Sequence, residues 1–137
     1  MDARVLLDTS AYAHFRRGHA EAVEILVAAE RVYLSTVTLG ELEAGFMLGS
    51  RPDENRSALR DFLAEPFVTV VPIDEDVARR YGGIFVALRR AGTPIPTNDV
   101  WIAATALHVS AELVTFDNDF RHVASLNARV LVPRVVG

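Results

Sequence analysis

Apolar residues fall along this chain in two rhythms. Five short runs are almost wholly apolar and rich in β-branched residues, at positions 5–7, 32–34, 68–71, 113–115 and 130–132. Such runs read as strands covered on both faces. Between them the spacing turns helical. Residues 21–30 set Ala22, Ile25, Leu26 and Ala29 on one stripe. Residues 74–91 do the same with Val77, Tyr81, Ile84, Phe85 and Leu88, leaving Glu75, Arg79, Arg80 and Arg89 to the other side. Helical patterns at 38–49, 54–63 and 97–108 complete the alternation. Strands separated by helices build βαβ units, so the pattern predicts an α/β fold with a central, mostly parallel five-stranded sheet and helices on both faces. The strongest break is AGTPIPTND, residues 91–99, where Gly92, Pro94 and Pro96 stop one helix before Thr97 or Asn98 caps the next.

Length and composition change this picture little. A chain of 137 residues suits one domain, residues 1–137, and at that size roughly two-thirds of the unfolded surface is buried. There is no cysteine, which excludes disulfides and thiolate chemistry. Only three consecutive apolar residues, Val5 to Leu7, run into Asp8, too few for the roughly 7–15 of a signal peptide, so a cytoplasmic protein is expected. The net charge of −4 argues against nucleic-acid binding by bulk electrostatics. All 14 basic residues are arginine, and this excludes any mechanism that needs a lysine.

The candidate chemistry is carboxylate chemistry. Ligands of open parallel sheets sit beyond the carboxyl ends of the strands. Asp8 ends the first apolar run and Asp117 follows the fourth, so two strands deliver an acid to one sheet edge. Each acid also has an ordinary structural explanation. Asp8 suits the cap of a helix starting near Ser10. Thr38 and Glu41 match the S/T-x-x-E capping box, and Glu43 is a rival acid on the same helix. Asp99 suits a helix dipole, yet it heads a stripe of Ile102, Ala103 and Ala106 where a carboxylate needs a partner. Asp117 and Asp119 flank Asn118 as in an Asx turn.

Taken together the acids are harder to explain apart. Converging carboxylates repel, and a hard divalent cation such as Mg²⁺ or Mn²⁺ resolves the conflict. No cysteine or clustered histidine offers a zinc site; His14, His19, His108 and His122 are scattered and read as surface or packing residues. Carboxylate-held metal suits phosphodiester hydrolysis.

Four segments, LLDTSAY, STVTLGELEAGF, IPTNDVWIAATAL and ELVTFDNDF, together resemble the PIN-domain family, and within it the VapC-type toxins, over nearly the whole chain. The resemblance implies a three-layer fold and a metal-dependent endoribonuclease. It assigns metal binding to Asp8, Glu41, Asp99 and Asp117, with Asp119 a variable fifth member, and it selects Glu41 over Glu43. It implies polar residues at Thr9 or Ser10 and at Thr115 that orient the acids. It further implies an RNA substrate, a homodimer, and a cognate antitoxin that reaches into the acidic site. Arg16 and Arg17 are candidates for phosphate contacts, though an Arg-Arg-Gly turn equally suits a solvated surface. The other readings are an RNA-processing PIN nuclease outside toxin–antitoxin pairs, or a non-catalytic RNA-binding module. A phospho-acceptor receiver domain and an Asp-nucleophile phosphatase both need a lysine and are set aside.

Overall fold

The computed structural model describes residues 3–133. The elements run β1 (Arg4–Leu7), α1 (Thr9–Arg16), α2 (Ala20–Ala28), β2 (Arg31–Ser35), α3 (Thr36–Leu48), α4 (Pro52–Leu63), β3 (Val68–Val71), α5 (Glu75–Ala91), α6 (Thr97–His108), β4 (Glu112–Thr115), a 3₁₀ turn (Asn118–His122) and β5 (Ala128–Val130). The five strands form one sheet in the order β3-β2-β1-β4-β5, and every pairing is parallel.

Strand alternation sorts the side chains into two cores. Val5 and Leu7 of β1, Val32 and Leu34 of β2 and Val114 of β4 face α1, α2 and α4, where they meet Tyr12, Ile25, Leu26, Leu59 and Phe62. Leu6 and Leu113 face the other way, onto Val77, Ile84 and Leu88 of α5 and Val100, Ile102 and Ala103 of α6. The middle strand is therefore apolar at every inward position because both faces are covered. Leu6 and Leu7 are fully buried, and such burial contributes about 1.5–3 kcal/mol for each side chain.

The strand order places a cavity. From central β1 the chain moves outward to β2 and β3, then returns to the other side of β1 for β4 and β5. The reversal falls between β1 and β4, where the connections leave in opposite directions and open a crevice at the strands' carboxyl ends.

Two local expectations meet different outcomes. The last strand lies at Ala128–Val130 rather than at 130–132, because its register is set by pairing Thr115 with Val130. At this sheet edge an apolar run is no guide to register, and Val132 is exposed. The break after α5 behaves as expected. Gly92 adopts φ 74°, the left-handed conformation a glycine takes without strain, and closes the helix end.

Candidate active site

Asp8 follows β1 directly, and its N–H still donates to the Val114 carbonyl at 3.3 Å. The sheet ladder thus extends one residue past the strand and pins the Asp8 backbone to β4. Asp8 is both the cap of α1 and a member of a buried network. Its Oδ1 accepts from the Ala11 N–H at 2.8 Å and from the Ser10 hydroxyl at 2.7 Å. Its Oδ2 accepts from the Thr115 hydroxyl at 2.5 Å. Those hydroxyls in turn accept from the backbone of β4's exit, Ser10 from Phe116 N–H and Thr115 from Asp117 N–H, both at 3.0 Å. Of the roughly four acceptor positions on a carboxylate, about one remains open to a ligand. Burial pushes the Asp8 carboxyl above its ordinary value, the three hydrogen bonds oppose that rise, and the Asp117 charge adds to it.

Glu41 lies in the middle of α3, not at its start. The capping-box expectation fails here. Ser35 caps α3 by accepting from the Val37 N–H at 3.1 Å, while Thr38 sits inside the helix, its buried hydroxyl without a partner among the described residues. The Glu41 carboxylate is held instead by two side chains. Thr9 donates to Oε1 at 2.6 Å and the Asn98 amide donates to Oε2 at 3.3 Å. Glu43 turns away toward α4 and pairs with Arg56 at 3.0 Å.

The cap expected at Thr97 or Asn98 is also absent: α6 begins after Pro96 with no side-chain cap. Asn98 is freed to hold Glu41, a role the sequence did not signal because it depends on a residue 57 positions away. Asp99 is half-buried on the same turn, and its side chain accepts no hydrogen bond among the described residues. Burial, followed by the charges of Asp117, Glu41, Asp8 and Asp119, pushes its pKa up to about 7.

Asp117 caps the 3₁₀ turn by accepting from the Asp119 N–H at 2.9 Å, so the Asx-turn reading is correct and does not exclude a second use. Asp8, Glu41, Asp99 and Asp117 line one cavity of about 380 Å³, together with Thr9, Ser10, Ala13, His14, Arg17 and Ile102. None of these four acids, nor Asp119, forms an ion pair among the described residues. His14 is a second residue whose place the sequence did not signal. Its Nδ1 donates to the Ser10 carbonyl at 2.9 Å, and its ring stacks on Phe116 at 3.9 Å, closing one wall of the cavity.

The donor set fits a hard divalent cation. Asp99, Asp117 and Asp119 each present a carboxylate oxygen within 4.8 Å of the others. Two oxygens bound to one Mg²⁺ sit at most about 4.2 Å apart, twice the metal–oxygen distance. Asp99, Asp117 and Asp119 would hold such a cation, and Asp99 and Asp117 share their cavity with Asp8 and Glu41.

A parallel sheet with carboxylates gathered at its switch point defines a class, and the comparisons with known proteins agree with it. The PIN domain family model matches residues 5–126, and the chain belongs to that family. Its relatives include ribonuclease VapC5 of Mycobacterium tuberculosis, 30% identical over 115 residues that cover 84% of each chain. Ribonuclease VapC1 of Haemophilus influenzae is 30% identical over 126 residues, 88% of this chain and 92% of that one. Among solved structures, VapBC-5 of Mycobacterium tuberculosis, a member of the VapBC family of toxin–antitoxin systems, superposes with a TM-score of 0.72 at 28% identity. That superposition covers 95% of this chain and 98% of the other.

Proposed function

We propose that this protein is a Mg²⁺- or Mn²⁺-dependent endoribonuclease, the toxin of a type II toxin–antitoxin pair, acting as a single unit over residues 1–137. The observation that carries the reading is the gathering of Asp8, Glu41, Asp99 and Asp117 on one cavity, with no ion pair to any of them among the described residues. The names of the relatives supply the class of substrate, RNA, and the VapBC-5 system supplies the kind of partner, an antitoxin.

Asp8, Glu41, Asp99 and Asp117 are the metal-holding residues, with Asp119 joining Asp99 and Asp117 on the side of the 3₁₀ turn. A bound divalent cation supplies Lewis-acid activation of water and charge stabilisation at the phosphate. The chain's own residues do the positioning. Ser10, Thr115 and the Ala11 N–H hold Asp8 in one orientation, while Thr9 and Asn98 hold Glu41. Because Thr115 on β4 holds Asp8, and Thr9 and Asn98 hold Glu41, these two carboxylates are oriented before a cation arrives, which lowers the cost of assembling the site.

The protein works in the cytoplasm as a homodimer, and no helix among the described residues is long and apolar enough to cross a membrane. Purified Asp8→Asn keeps its circular dichroism spectrum and loses Mg²⁺-dependent cleavage of single-stranded RNA. Cleavage at the wild-type rate by that variant, with contaminating nuclease excluded, overturns the assigned site. A neighbouring gene whose product neutralises growth inhibition supports the toxin role, and growth unaffected by expression of the wild-type chain counts against it.

A further inference from the structure

A second cavity opens beside the acidic one, and α1 is the wall between them. It measures about 300 Å³ and is lined by Tyr12, Ala13, Arg16, Arg17, Leu42, Phe46 and Asn55. Ala13 and Arg17 line both cavities, so the two adjoin along one face of α1. Ala13 leaves that shared rim open, since only a methyl group projects there. From Ser10 beside the acids to Arg17 the helix axis advances about 10 Å, at 1.5 Å per residue.

The second cavity carries two arginines and no acid, where the first carries four acids and shares Arg17. Arg16 and Arg17 are exposed and form no ion pair among the described residues, whereas Arg51, Arg56, Arg79, Arg80 and Arg129 each pair with an acid. Two guanidinium groups without ion pairs among the described residues line this one cavity, and each offers a planar fork suited to phosphate oxygens. Phe46 offers a half-buried aromatic ring and Asn55 an exposed amide. Tyr12 is 2% exposed, and its buried hydroxyl has no hydrogen-bond partner among the described residues. A buried hydroxyl left unpaired costs free energy until a ligand brings it an acceptor. Arg16 is close enough for its charge to act on that hydroxyl, so the orphan group and the cation belong to one locality.

We propose that this groove is the subsite for the nucleotides adjoining the cleaved bond, with Arg16 and Arg17 on backbone phosphates, Phe46 against a base and the Tyr12 hydroxyl hydrogen-bonded to the strand. The proposal rests on the ribonuclease reading and deepens it. An anionic, partly aromatic, acceptor-rich strand fits this lining, and single-stranded RNA combines those properties through its phosphates and unstacked bases. The acids repel the strand unless a cation intervenes, so this basic stretch supplies the attraction that positions the backbone across them.

Steady-state cleavage of a labelled single-stranded oligoribonucleotide in Mg²⁺ tests it, together with melting temperatures and the salt dependence of binding. Arg16→Ala combined with Arg17→Ala raises KM about tenfold with kcat within about twofold. The same variant flattens the slope of log K against log salt by about 0.7 for each phosphate it no longer neutralises. Tyr12→Phe raises KM about threefold while its melting temperature stays level or rises, because the hydroxyl has no partner to lose. A purely structural Tyr12 lowers the melting temperature and leaves KM alone, and that result removes it from the subsite. Unchanged KM and salt slope in the double arginine variant, with the wild-type protein cleaving normally, overturn the subsite and leave the ribonuclease reading standing. Unchanged RNA kinetics with lost neutralisation by a partner protein assign the groove to that protein instead. A wild-type protein that neither binds nor cleaves RNA in Mg²⁺ sinks both readings.

Discussion

Asp76 and Asp99 each stand in the first turn of a long helix, and their surroundings drive them in opposite directions. Asp76 opens α5, accepts from Arg80 Nε at 2.8 Å and lies 2.6 Å from His108 Nδ1. Those partners hold its pKa down to about 2. Asp99 opens α6 and meets burial and four other acids instead, so its pKa rises to about 7. The helix dipole favours both carboxylates about equally, at roughly 0.3–1 kcal/mol, and so cannot separate them. The neighbours do. Asp76 is an acid whose charge has been balanced, and Asp99 is one whose charge awaits a balance from outside the chain.

The largest expected effect breaks the contrast at Asp99. Asp99→Asn abolishes Mg²⁺-dependent RNA cleavage, whereas Asp76→Asn leaves the rate within about twofold, read on the same oligoribonucleotide. The variant also removes a penalty from the metal-free protein. Asp99 has a folded pKa of about 7 against 3.8 unfolded, so the folded state holds the extra proton across that window. Below 3.8 both states are protonated and the group contributes nothing. As pH rises from about 4 to 7 stability falls, and above about 7 the loss is constant. Three pKa units correspond to about 4 kcal/mol, but Asp99 is half-exposed and solvent screening reduces this to on the order of 1–2 kcal/mol. Melting in a chelator from about pH 4 to about pH 8 shows this decline for the wild-type protein and not for Asp99→Asn. Equal pH dependence in the two proteins contradicts the electrostatic account.

Asp76 has the opposite sign. Its lowered pKa contributes stability at pH values above 3.8 that is lost as pH falls toward 2. Asp76→Asn therefore melts lower than wild type at neutral pH, and the difference shrinks in acid.

Next in size is the support of Asp8. Thr115→Val removes the hydroxyl bonded to Oδ2 and leaves that oxygen buried without this donor, at a cost of about 1–3 kcal/mol in urea unfolding. Cleavage falls with it, because Asp8 Oδ2 loses the donor that orients it while only Oδ1 stays held, by Ser10 and Ala11. The smallest effect sharpens the comparison from the balanced side. Glu43→Gln breaks the ion pair to Arg56 on a partly exposed helix face, costs about 0.2–1 kcal/mol and leaves cleavage unchanged. A large loss of activity in Glu43→Gln transfers the role assigned to Glu41.

The elements were legible because their signals are local. The all-apolar segment 5–7 and the helical stripe of 74–91 are properties of consecutive residues, and the structure holds a strand and a helix there. The parallel sheet followed from their alternation, though the complete absence of antiparallel pairing was not implied by it. Cap positions were less legible. Thr38 satisfied a capping pattern while lying inside its helix, since the chain reached helical geometry earlier, at Thr36, with Ser35 as the acceptor. Asn98 satisfied another cap preference and was taken by Glu41. In both cases the residue type was suited to several partners, and only proximity selected one.

By itself the sequence determined the strand–helix order, the two acids at strand ends, and the lack of any lysine or cysteine to turn the chemistry elsewhere. It could not determine which acids stay uncompensated. Asp8 and Thr115 are 107 positions apart, and Thr9 and Glu41 are 32 apart; the first pair exists only once β1 lies beside β4 and the second only once β1 lies beside β2. Tertiary structure brought His108 to Asp76, which helical spacing already placed beside Arg80, paired Glu43 with Arg56, and left Asp99, Asp117 and Asp119 facing one another. The reason is electrostatic: a carboxylate's behaviour is set by charges and burial within a few ångströms, and distance along the chain carries almost no information about either.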